Sequence, residues 1–180
     1  MKVLLDACVL YPTVMREVLV GCAAAGLYTP RWSPRILEEW ARATLKLGPA
    51  AETLARGEIA ALAARFPAAG IVVPDDLQRR FWLPDPADIH VLAAAVHGHC
   101  DAILTLNAKD FPGQILADEG LIRLDPDNFV LSLADTAPQA VDQVCAGVLA
   151  EARRLSGEDW TMRALLKKAR MPRLGKRLSA

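Results

Sequence analysis

A chain of 180 residues, 53% hydrophobic and 23% charged, can bury one full core and is too apolar to remain disordered. Lys plus Arg and Asp plus Glu number 21 each, so net charge points to no class of partner, and no apolar run reaches the ~18 residues of a membrane span. The distribution of charge is more telling: from Arg163 onward there are seven basic residues and no acidic one, leaving residues 1–162 with 14 basic against 21 acidic, a net of −7.

In chain order, Val3-Leu4-Leu5 is a short apolar run that stops at Asp6 and reads as a buried strand. It is too short for the apolar segment of a signal peptide. Residues 14–25 are apolar and Ala-rich, a helix closed by Gly26, and Leu27-Tyr28-Thr29 reads as a second short strand. Ser33 and Pro34 supply an N-cap and a first helical position, and Ile36, Trp40, Ala43 and Leu47 fall on one stripe of the helix that follows, up to Gly48-Pro49. Residues 50–66 predict another helix and Ile71-Val72-Val73 a strand. Asp85-Pro86 opens a helix whose body, Ile89 to Val96, is apolar almost all round and therefore central, with Gly98 as its terminator. Residues 102–105 and 121–124 are further strands, and 127–135, 137–155 and 159–170 are helices.

Strands that alternate with helices imply parallel strands joined by crossovers, an α/β fold. The pattern turns purely helical after Pro126, which places a boundary there: 1–126 as the α/β domain, 127–180 as a helical C-terminal extension with a basic tail. The four cysteines, Cys8, Cys22, Cys100 and Cys145, form no CxxC pair and sit in apolar stretches; they read as reduced core residues of a cytoplasmic protein, and a zinc site is not expected.

Ligands of parallel α/β sheets bind beyond the carboxyl ends of the strands, so polar residues there are the candidates for chemistry. Asp6 ends the first strand, and Thr105, Asn107 and Asp110 follow the strand at 102–105. Asp85 is a natural N-cap, whereas Asp88, in the first turn of an otherwise apolar helix, is the better functional candidate. At ~100° per residue Glu39 flanks the apolar stripe while Glu38 points outward between Arg35 and Arg42. Carboxylates brought together need a cation, and hard oxygens suit Mg²⁺ or Mn²⁺, which can activate water for attack on a phosphodiester.

Four segments carry a resemblance: Leu4-Leu5-Asp6-Ala7-Cys8-Val9-Leu10, Ser33 to Glu39, Asp85 to Ala95 and Asp101 to Phe111. Together, over residues 1 to about 125, they resemble the PIN-domain family, in particular VapC-like ribonuclease toxins of toxin–antitoxin pairs. The resemblance implies a three-layer α/β/α fold with a central parallel sheet, and a Mg²⁺- or Mn²⁺-dependent endoribonuclease. Asp6, Glu39, Asp88 and Asp110 would be both catalytic and metal-binding, with Asp85, Thr105 and Asn107 as additional candidates. It also implies RNA as substrate, a cognate antitoxin as partner and a homodimer. Many PIN domains carry an acid where this chain has Asn107, which leaves open a PIN-like module that binds RNA or protein without cutting; a nuclease of RNA maturation or DNA repair is the other alternative.

His97-Gly98-His99-Cys100 marks a helix end rather than a metal cluster, and His90 is read as a packed core histidine. Phe81-Trp82-Leu83 is a candidate lip of the cleft or partner patch. Trp32, Trp82 and Trp160 could stack on bases, while Trp40 fits the core. Arg163, Lys167, Lys168 and Arg170, beside Met162, Leu165, Leu166 and Ala169 on an amphipathic helix, are candidate contacts for RNA or a partner, the alternative being a solvated terminus.

Overall fold

The computed structural model describes residues 1–179. In chain order the elements are β1 (Lys2–Leu5), α1 (Ala7–Leu10), α2 (Thr13–Ala24), β2 (Thr29–Arg31), α3 (Pro34–Thr44), α4 (Pro49–Arg65), α5 (Ile89–His97), β3 (Ala102–Leu104), α6 (Gly113–Asp118), β4 (Ile122–Leu124), α7 (Pro126–Thr136), α8 (Pro138–Ser156), α9 (Met162–Lys168) and α10 (Pro172–Arg177). They group into two compact units. One holds residues 1–11 and 29–123, the other residues 12–28 and 124–179.

The first unit is built on a four-stranded parallel sheet of order β2-β1-β3-β4. β1 is central and buried, and pairs Leu4 with Arg31 of β2 and with Ile103 of β3. Pro30 sits in β2, an edge strand, where its missing N–H costs no central ladder bond. Ser33 caps α3 by accepting from the Ile36 amide, with Pro34 in the first turn. The buried face of α3 is Ile36, Trp40, Ala41 and Thr44; Leu47 is exposed. The stripe expected through Ala43 and Leu47 fails because the α-helix stops at Thr44 and tightens to a 3-10 turn, Leu45–Leu47, closed by Gly48 at φ 108°. In the body of α5, Val91 to Ala95 are fully buried, as an all-apolar helix must be.

Two expectations are corrected. Residues 71–73 are not a strand: Gly70 makes one bridge to Trp32, Ile71 donates to the Trp32 carbonyl, and Val72 then points to solvent. The run is bounded by Pro74, and a single bridge beside an edge strand is all that its short length makes. Gly98 is the C-cap of α5, as expected, without taking the left-handed conformation common at helix ends. That falls to His99, at φ 49°, while a Cβ at Gly98 would press on the Ile71 side chain and on the Ala94 carbonyl at 3.1 Å. The second strand lies at 29–31 rather than 27–29.

The second unit is helical. Gly21 lets α2 approach α8, its position facing Val144, and Tyr28 packs edge-on against Phe129 while its hydroxyl donates to the Leu19 carbonyl. The basic terminus is ordered within this unit. The buried carboxylate of Asp127 accepts from the backbone N–H groups of Arg173 and Leu174, both at 2.9 Å, at the start of α10. Leu165 and Leu166 are buried, so the apolar face of the amphipathic helix is used inside the unit, leaving Arg163, Lys167, Lys168 and Arg170 exposed.

Candidate functional site

The site begins with strand register. Leu5 of β1 is level with Leu104 of β3, and the Asp6 amide donates to the Leu104 carbonyl. The next residues on the two strands, Asp6 and Thr105, therefore face each other at the carboxyl end of the sheet. Thr105 Oγ1 donates to Asp6 Oδ2 at 2.7 Å, and Cys8 Sγ donates to the same oxygen at 3.1 Å. Asp6 is 7% exposed, and these donors compensate a carboxylate that would otherwise be costly to bury. Burial first, and the Asp6 charge second, push the Cys8 thiol up to about 12, so it stays a neutral donor.

The second group stands on the turn before α5 and the loop after β3. Carboxylate oxygens of Asp85, Asp88 and Asp110 all lie within 4.8 Å of one another. Asp85 accepts from the Ala87 amide at 2.9 Å, capping the 3-10 turn Pro86–Asp88 as expected, yet its carboxylate also belongs to this cluster. Asn107 donates from Nδ2 to Asp88 Oδ2 at 3.2 Å, and its amide donates to Thr105 Oγ1, which ties the loop to the strand end. Asp88 is pushed up to about 6, by partial burial first and then by the charges of Asp6, Asp85 and Asp110. Its electrostatic environment therefore joins the two groups of acids.

Glu39 lies apart from the trio and reaches α5 instead. Its Oε1 is 2.8 Å from His90 Nε2 and 3.3 Å from Arg35 Nε. The His90 contact is close without being an aligned hydrogen bond, for neither ring nitrogen of this buried histidine has a well-directed partner. Glu38 is held by Arg56 first and then by Arg42, whose hydrogen bonds keep its carboxyl low, at about 2. The two side chains are about equally exposed, so Glu39 is not the more interior of the pair as the helix angle predicts; what sets it apart is its approach to buried His90.

The donor set fits a hard divalent cation. Clustered carboxylate oxygens, one of the carboxyls raised by burial and then by its neighbours' charges, would be relieved by positive charge. Trp82 is 68% exposed between buried Phe81 and Leu83, three residues before Asp85. Trp32 and Trp40 are core residues, and Trp160, in the helical unit, stacks under the Lys168 ammonium at 4.7 Å. Cys8, which touches Asp6 directly, carries no local signal of that contact in the sequence, where it reads as an apolar core residue.

Known proteins place the chain. The sequence signature described as PIN domain matches residues 2–109, more than half of the chain and the span that carries Asp6, Glu39, Asp85, Asp88, Thr105 and Asn107. A protein of Mycobacterium tuberculosis (strain ATCC 25618 / H37Rv) named "Putative ribonuclease VapC50" is 39% identical over 62 residues, covering 34% of this chain and 37% of that protein. No solved structure matches. With its parallel α/β sheet and strand-end acids, the chain belongs to the PIN-domain family.

Proposed function

We propose that the protein is a Mg²⁺- or Mn²⁺-dependent endoribonuclease, acting in the cytoplasm as the toxin of a toxin–antitoxin pair. The observation that carries this reading is the convergence of Asp85, Asp88 and Asp110 within 4.8 Å, beside a buried Asp6 at the carboxyl end of the sheet. Asp6, Asp88 and Asp110 would hold the ion, with Asp85 at its rim and Glu39 supporting from α3. A bound Mg²⁺ or Mn²⁺ supplies an activated water and charge for an in-line attack on the phosphodiester. The chain's own contribution is orientation. Thr105 and Cys8 occupy one oxygen of Asp6 and leave the other free, and Asn107 does the same for Asp88. The likeness to a protein whose name includes ribonuclease supports RNA as the substrate; an antitoxin partner and a homodimer are further parts of the proposal.

Asn107 supports a second reading, a PIN domain that binds RNA or protein without cutting, because its uncharged amide occupies one oxygen of Asp88 where a further carboxylate could stand. Inducible expression in a bacterial host separates the two. Growth arrest with loss of intact RNA, absent for Asp6→Asn, supports the toxin. Unimpaired growth with abundant folded protein supports the binding module.

A further inference from the structure

Carboxylates packed within 4.8 Å repel one another, so each must be fixed by its backbone. Asp85 and Asp88 have that support from a capped 3-10 turn running into the buried helix α5. Asp110 belongs to no helix or strand, and the segment between β3 and α6 that carries it is a turn. Its C-terminal neighbour Phe111 is fully buried and anchors one end. The other anchor comes from outside the segment. Arg123, in the middle of β4, donates from Nη1 to the carbonyl of Ala108 at 2.8 Å and to that of Phe111 at 2.7 Å. These two carbonyls bracket Asp110, so one guanidinium nitrogen closes the turn on both sides of the carboxylate. Charged donors make the stronger hydrogen bonds, and a planar guanidinium loses little freedom on binding.

We propose that Arg123 is a positioning residue of the metal centre, acting through Asp110 by pinning the 108–111 turn. This inference rests on the reading of Asp110 as a metal ligand. Supporting residues behind metal ligands commonly set affinity by roughly 10–100-fold.

The test is calorimetric titration of Mn²⁺ into the full chain and into Arg123→Ala, Arg123→Lys, Asp110→Asn and the Arg123→Ala/Asp110→Asn double variant, with hydrogen exchange of amides 106–111. Arg123→Ala is expected to weaken Mn²⁺ about tenfold and to speed exchange in the turn. Arg123→Lys, which keeps the charge and some donor capacity, should fall between. In the Asp110→Asn background, losing Arg123 should cost nothing further, because its effect passes through that carboxylate. Weakened Mn²⁺ binding in Asp110→Asn, with unchanged affinity in Arg123→Ala or with a fully additive double variant, overturns the proposal alone. Unchanged Mn²⁺ binding in Asp110→Asn overturns the ligand reading and the proposal with it. Should Arg123→Ala not fold, Arg123→Lys and its double variant supply the same comparison.

Discussion

Thr105 and Asp6 are 99 residues apart in sequence and share a 2.7 Å hydrogen bond, because the β1–β3 register sets the ends of two parallel strands level. Replacing Thr105 with Val removes the donor and leaves a buried carboxylate oxygen with the weaker Cys8 thiol. The expected cost is about 1–3 kcal/mol of stability and roughly 10–100-fold in Mn²⁺ affinity. Thr105→Ser, which restores the hydroxyl, should recover most of both. Thermal melts and calorimetry check this, and a Thr105→Val variant with wild-type metal affinity would disconnect the hydroxyl from the site.

His90 is expected to separate function from stability. Its two buried nitrogens have no well-directed partner, and its contact with Glu39 is close but misaligned. Such a group costs stability, so His90→Leu should melt at or above the wild-type temperature. The same change frees Glu39, and metal-dependent cleavage of RNA should fall about tenfold. Equal losses of stability and cleavage would mark His90 as a packing residue only.

Asp88 makes metal binding depend on pH. Its carboxyl is raised from 3.8 to about 6. Between those values the folded chain holds a proton that the unfolded chain has released, so metal-free stability falls as pH rises through this window. A divalent cation needs the ionised form. Mn²⁺ affinity should therefore drop as pH is lowered through about 6, with proton release on binding measurable in buffers of differing ionisation enthalpy. Asp88→Asn should abolish that proton release. Affinity that is flat across this range would contradict the account.

In the helical unit, Asp127 holds the start of α10 through two backbone N–H groups at 2.9 Å. Asp127→Ala should destabilise that unit by about 2–3 kcal/mol, read by denaturant unfolding, and Asp127→Asn, which keeps an acceptor, by less. A change below about 0.5 kcal/mol would mean that the terminus is held by its other contacts, buried Leu174 and Met171 and the Arg173 and Arg177 side-chain bonds.

Much of this was legible in the sequence because it is local. The Ser33-Pro34 cap, the all-apolar α5 and the strand that stops at Asp6 each declare themselves within a few residues. Asp6 and Asp110 follow from the rule that strand ends carry chemistry, whereas Asp88 and Glu39 are read from their places on helices. What escaped was set by neighbours distant in sequence. Ile71-Val72-Val73 has the composition of a strand but makes only one bridge. Asp85 looked like a cap and is one, while its place in the acidic cluster depends on a loop that arrives more than twenty residues later. The helix α2, contiguous with the sheet in sequence, groups instead with the C-terminal helices, through contacts such as Gly21 against Val144 that no local pattern announces.

The account turns on whether these carboxylates cut RNA with a metal ion. The direct measurement is cleavage of total and transfer RNA by the purified chain in Mg²⁺, in Mn²⁺ and in EDTA, beside Asp6→Asn and Asp88→Asn. The account predicts cleavage that requires the ion and is lost in both variants while their melting temperatures show them folded. Cleavage that persists in EDTA, or at full rate in folded Asp6→Asn and Asp88→Asn, would contradict it.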